Sequence, residues 1–172
     1  MLSETWEDQY KRIHRSYARL QSAIGEHIDR DPELHDESSS RDILFHFLAD
    51  ALHLKEYIKN EEGQTAAIKT SIEDLFDPDH ADGSVALSIC ADIANGVKHL
   101  ELKRSRFEPA AEVGKEEAGI RLPVTFPAYV TYHFSIEAGG NTYAEIHVAD
   151  NAIADWDLWL TATGFSLPAL AT

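Results

Sequence analysis

The sequence predicts an α+β protein, mainly α: a four-helix bundle followed by a small antiparallel β segment and a C-terminal helix. Apolar residues recur at steps of three and four through the first hundred positions, which is the spacing of one helix face. Alternation replaces that rhythm near residue 118, with prolines at 123 and 127, as in a half-buried strand with breakers. Gly139-Gly140-Asn141 then separates two strand-like runs, a hairpin signal. The bundle is expected over residues 1–106, and the hairpin with its helix over 118–172, packed on the bundle in a single compact domain. A chain of 172 residues is long enough for one real core and too short for two large ones.

Trp6, Tyr10, Ile13, Tyr17, Leu20 and Ile24 form one stripe, predicting a first helix over about residues 4–29 with Ser3 as its N-cap. A polar loop over Asp29–Ser40, containing Asp31-Pro32 and Ser38-Ser39-Ser40, leads into a second helix at about 41–60. Ile43, Leu44, Phe47, Leu48, Ala51, Leu54 and Ile58 give it a broad apolar face, with Phe45 and Leu52 on the far side. That breadth marks a central helix or a dimer contact, so a homodimer is expected. A third helix is expected over 65–76, stopped by Asp77-Pro78-Asp79 and a loop through Gly83. Ser84 can cap a fourth, whose Val85, Ile89, Ile93, Gly96, Val97 and Leu100 share one side. Ile120, Leu122 and Val124 alternate, and Tyr132–Ala138 and Thr142–Val148 flank the glycine turn. Asp150 should cap a last helix bearing Ile153, Trp156, Trp159 and Leu160 and ended by Gly164.

Composition limits the function classes. A formal charge of -15 opposes broad attraction to phosphate backbones, so any nucleic-acid contact has to be local. Cys90 is the single cysteine, which excludes an internal disulfide and a cysteine-built zinc site, and fits a reducing cytoplasm. The acidic start Met-Leu-Ser-Glu-Thr-Trp-Glu-Asp lacks the pattern of a signal peptide, and no apolar run reaches membrane-spanning length. A cytoplasmic protein with no membrane contact is expected. No phosphate-binding glycine loop occurs, and Trp6, Trp156 and Trp159 sit at helical spacing, where burial is their ordinary role.

Two polar stripes carry the candidate chemistry. His46, Asp50, His53 and Tyr57 are spaced by four, three and four on the second helix, and Ser88, Asp92, Asn95 and His99 do the same on the fourth. Stripes bordering two apolar faces can converge across a bundle interface. Histidines at the rim of a helix are ordinarily solvated or packed with one satisfied hydrogen bond, and Asp92 and Asn95 can simply cross-link loops, with Lys98 pairing with Asp92 or Asp50. His46, Asp50, His53, Asp92 and His99 also form an alternative metal set suited to zinc, iron, nickel or manganese. Their spacing is neither HExxH nor the ExxH of di-iron bundles, and no cofactor is assigned.

The words Leu52-His53-Leu54-Lys55-Glu56-Tyr57-Ile58 and Asp92-Ile93-Ala94-Asn95-Gly96-Val97-Lys98-His99-Leu100 resemble a group of bacterial proteins similar to the HEPN superfamily of helical-bundle domains. The resemblance covers about residues 40–105 and includes the Asn-x-x-Lys-His word. In ribonuclease members of that superfamily an arginine precedes a histidine by five to seven positions on one helix, and two such helices face each other in a dimer. His99 matches the histidine and Asn95 the polar residue, whereas positions 92, 93 and 94 hold Asp, Ile and Ala where the arginine belongs.

What the resemblance implies is a metal-independent ribonuclease or an RNA-associated defence or toxin–antitoxin component. His99 would act as general base or acid, since its pKa lies near neutrality. Asn95 would hold the histidine or a phosphate oxygen. Lys98, with Lys103, Arg104 and Arg106 after it, would stand in for the arginine, while Asp92 would repel a phosphate. The competing expectation is a bundle that has lost its arginine and serves as an interaction or regulatory module, its acidity suiting a basic protein partner better than RNA.

Overall fold

The computed structural model describes residues 4–24, 37–99, 105–121 and 129–170. Its elements are α1 (Trp6–Ala23), α2 (Glu37–Asn60), α3 (Ala66–Leu75), α4 (Val85–His99), β1 (Glu112–Arg121), β2 (Tyr129–Ala138), β3 (Asn141–Ala144) and α5 (Glu145–Ala162). The protein is therefore α+β and mainly helical, with one small antiparallel sheet in the order β1-β2-β3 and a C-terminal helix. No helix among the described residues is long and apolar enough to cross a membrane.

The first helix buries the predicted stripe: Trp6, Tyr10, Ile13, Leu20 and Ile24 are in the core, with Tyr17 partly covered. Its cap is Thr5, forming a reciprocal box with Asp8; the expected cap Ser3 and the expected last turn over 25–29 lie outside the described residues. The Thr5 hydroxyl accepts from the Asp8 amide and the Asp8 carboxylate accepts from the Thr5 amide, satisfying two donors that a helix start leaves open.

The second helix starts at Glu37 rather than at 41. Serines 38–40 resemble capping residues, but a first helical turn also tolerates them, and an acidic residue suits its N-terminus. All seven residues of the predicted apolar face are buried, and Phe45 and Leu52 pack on the edge of the core. The breadth that suggested a dimer is thus used within the chain.

Capping by Thr65 of α3 and Ser84 of α4 follows the expected chemistry, each hydroxyl accepting an amide three residues on. The face of α4 departs from expectation. Val85 is exposed, while every residue from Ala86 to Ile93 is buried. Small residues at 86, 88, 90 and 91 let neighbouring elements close in on all sides, so α4 is a central helix and not an amphipathic one. It packs against α2 on one side and α5 on the other, and α1 packs on α2.

The first strand begins at Glu112, six residues before the predicted change at 118. A register irregularity between Val113 and Glu116 breaks its pairing with β2, and a bulge erases the two-residue alternation by which a strand is read. Gly139 and Gly140 make the hairpin turn with φ of 56° and 76°, a left-handed pair suited to glycine.

The strand expected to continue to Val148 ends at Ala144, and α5 starts at Glu145, so Asp150 lies inside the helix and caps nothing. Val148, Ala152, Trp156 and Trp159 form a buried face at helical spacing, and that burial overrides the local alternation of residues 142–148. At the other end Gly164 adopts φ 89°, with Gly164 donating to the Thr161 carbonyl and Phe165 to that of Leu160. This is the paired closure that a glycine permits after a helix.

The C-terminal helix supplies part of the bundle interior. The Trp156 indole donates to the Ala51 carbonyl of α2 at 3.2 Å, and that of Trp159 to the Ser71 hydroxyl of α3 at 2.9 Å. Trp156, Trp159, Phe165 and Trp6 form a chain of ring contacts at 5.1–6.0 Å. Burial of Trp156 and of Trp159 contributes about 3 kcal/mol each, and both of their indole N–H groups are satisfied.

Candidate functional site

Asp92 sits in the third turn of α4 with no exposed surface. A carboxylate in such a place requires partners, and they come from the segment that follows the helix. The Ser105 hydroxyl and the Arg106 amide both donate to Oδ2, the latter at 2.8 Å, while the Arg106 guanidinium donates through Nη1 to Oδ1 at 2.8 Å. Nε of Arg106 donates to the Phe76 carbonyl at 2.9 Å. Phe76 is the C-cap of α3, where helix carbonyls are left open and a cation is favoured. One arginine therefore ties the end of α3 to the middle of α4.

A second cation meets the same residue. Lys55 of α2 is 5% exposed at its side chain, its Nζ 4.7 Å from the centre of the Phe76 ring and 2.6 Å from Oε2 of Glu73. Burial lowers the Lys55 pKa, against the upward pull of Glu73. Burial also pushes the Glu73 carboxyl upward, but hydrogen bonds from Lys55 and Lys59 outweigh it and hold Glu73 below the ordinary carboxylate value. Where α2, α3 and α4 meet, Lys55 and Arg106 are thus each paired with a carboxylate of this chain.

The two predicted stripes separate here. On α2, His46 and His53 are exposed, and half-buried Asp50 is turned to α1, accepting from the Ser16 hydroxyl and from Gln9 Nε2 at 3.3 Å. Tyr57 donates to Glu4 at 2.8 Å. On α4, Ser88 is buried and its hydroxyl has no partner among the described residues, Asp92 is held by Arg106, and Asn95 is half-buried. Lys98 and His99 close the helix, but their side chains fall outside the described residues, as do Lys103 and Arg104. His46 and His53 are exposed, Asp50 faces α1 and Asp92 is enclosed, and no three His, Cys, Asp or Glu groups gather for a metal ion among the described residues.

Sequence reasoning named Asp92 and Arg106 separately and missed their pairing. The two stand fourteen positions apart, and helical periodicity carries no information beyond the helix end.

Two further sites lie at the surface. On the sheet, half-buried His133 approaches Oε1 of buried Glu145 through Nδ1 at 3.1 Å, beside a cleft of about 260 Å³. Between the start of α1 and the end of α2 lies a cleft of about 620 Å³, bordered by Trp6 and Tyr57 and by Glu4, Glu56, Glu61 and Glu62. Tyr57 and Trp6 are stripe members by their spacing; that they border one cleft needs the pairing of α1 with α2.

Compared with known proteins, the chain matches no family model, no curated protein and no solved structure.

Proposed function

We propose that this chain is a HEPN-like helical bundle acting as an interaction module for a basic protein partner, without nuclease chemistry. The observation that carries this reading is the state of Asp92. It stands where the resembling ribonucleases place an arginine, and it is buried and taken up by Ser105 and Arg106. A residue so enclosed contacts no substrate, and its charge opposes a phosphate rather than stabilising one. The net charge of -15 adds to that opposition and favours a cationic protein.

The ribonuclease reading, with His99 as acid or base and Asn95 and Lys98 in support, is the alternative. One observation favours it: Arg106 brings a guanidinium to α4 one turn before Asn95, so a positive charge stands near the position the helix itself leaves without one. A homodimer belongs to that alternative, because the nuclease motif works in facing pairs, while the apolar face of α2 is occupied within the chain.

Incubation of the purified chain with labelled single-stranded RNA, with EDTA and then with magnesium or manganese, separates the two. The interaction reading expects intact RNA from the wild type and from His99→Ala alike. Cleavage that disappears in His99→Ala, with an unchanged circular-dichroism spectrum, would overturn it.

A further inference from the structure

Building on the interaction-module reading, we infer that the cleft between the N-terminus of α1 and the last turns of α2 receives an arginine- or lysine-bearing segment of the basic partner. At about 620 Å³ the cleft falls within the roughly 300–1,000 Å³ of ligand-sized sites. Its apolar side is aromatic: Trp6 is buried with its ring edge-on to Phe165 at 5.1 Å, and Tyr57 is half-buried with its hydroxyl held by Glu4. The rest of the border is acidic.

Charge complementarity decides the occupant. Glu4 is already engaged by Arg12 and Tyr57. Glu56, Glu61 and Glu62 are exposed and form no ion pair among the described residues. The lysines beside them in sequence, Lys55 and Lys59, both turn to Glu73, and the one donor to the three carboxylates among the described residues is a neutral amide, Gln64, which donates to Glu61 at 3.1 Å. An aromatic face beside carboxylates that form no ion pair suits a guanidinium or ammonium group, which can lie over the Tyr57 ring while its donors reach the glutamates. An anionic or neutral segment gains neither contact, and RNA is repelled.

The test titrates the full chain with an arginine-rich octapeptide by calorimetry, beside glutamine-rich and glutamate-rich octapeptides of equal length. The arginine peptide alone should bind, and more weakly as salt rises. The variant Glu61→Gln/Glu62→Gln, changing two exposed side chains, should weaken binding about tenfold. Tyr57→Leu should weaken it as well, whereas Tyr57→Phe should keep it, because the ring and not the hydroxyl makes the contact. The remote acidic pair is the control: Asp79→Asn/Asp82→Asn should bind as the wild type does.

Equal weakening by the remote pair and the cleft pair would show diffuse attraction to an acidic surface and overturn the cleft as docking site, leaving the interaction reading in place. Absence of binding to the arginine peptide would overturn the cleft too. Only if RNA were also cut by the wild type and spared by His99→Ala would the interaction reading fall with it.

Discussion

On α2, His46 and His53 project into solvent and Asp50 is half-covered; on α4, one helix away, Ser88 and Asp92 have no exposed surface. The two stripes have the same spacing in sequence, and burial gives them opposite uses. An enclosed carboxylate has to be compensated, so Asp92 has become the anchor of residues 105 and 106 and through Arg106 of the end of α3. The exposed histidines carry no such obligation. Polar spacing along a helix thus identifies a stripe, and only the packing around it decides whether that stripe is architecture or contact surface.

The largest loss is expected at Asp92. Asp92→Ala leaves the Arg106 guanidinium, 26% exposed, without its carboxylate, and should destabilise the protein by about 3–5 kcal/mol in urea denaturation. Arg106→Ala strands the buried carboxylate and should fall in the same range. Asp92→Leu/Arg106→Met, which removes both charges, should cost less than the two single alanine changes added together. A loss below about 1 kcal/mol for Asp92→Ala would mean that the pair is not the anchor the geometry describes.

Asp50 lies between the extremes and should behave so. It accepts hydrogen bonds from Ser16 and Gln9 of α1 while remaining half-buried. Asp50→Ala should therefore lower stability by about 1–2 kcal/mol, less than Asp92→Ala. If the order of the two were reversed, burial would not be what separates the stripes.

What the sequence made legible was local. The seven apolar positions of α2, the stripe of α1, the Ser84 cap and the Gly139-Gly140 turn all depend on neighbours within a few residues, and each was placed correctly. The errors fall where distant contacts decide. Residues 142–148 alternate like a strand, yet Glu145 opens α5 because its next turns meet α2 and α4. The irregularity in β1 concealed its first six residues. At the candidate site, spacing located Asp92 and Asn95 but could not say that Arg106 would close on Asp92 or that Asp50 would turn to α1.

The contrast between buried and exposed groups extends to histidine and pH. His14 of α1 is mostly buried, with Nε2 lacking a hydrogen-bond partner and lying 3.9 Å from Asp157 of α5. Tyr10, whose hydroxyl donates to Asp157, lies against the His14 ring with centroids 4.5 Å apart and planes tilted by 57°. Burial lowers the His14 pKa below the ordinary 6.5, against the raising influence of Asp157. The unfolded chain then binds this proton at a higher pH than the folded one. The contribution is fully present above about pH 6.5 and is lost as pH falls toward the folded value. Wild type should lose stability across that window faster than His14→Gln, as measured by urea midpoints at pH 7 and pH 5.5. Parallel slopes would show that His14 is no more desolvated than the exposed histidines of α2.

The smallest effects set an enclosed hydroxyl against an exposed imidazole. Ser88 is enclosed in α4, and its hydroxyl is unpaired among the described residues. Ser88→Ala removes a desolvated polar group with little change of volume and raises helix propensity, so it should stabilise the fold by about 0.5–1 kcal/mol. His53→Ala on the exposed side of α2 should stay within about 0.5 kcal/mol of the wild type. A rise in thermal midpoint for the first and none for the second would mean that a polar residue enclosed in α4 costs stability where no partner such as Arg106 reaches it. If Ser88→Ala were instead destabilising, the hydroxyl would have to be engaged, and the interior of α4 would be as fully paired at Ser88 as it is at Asp92.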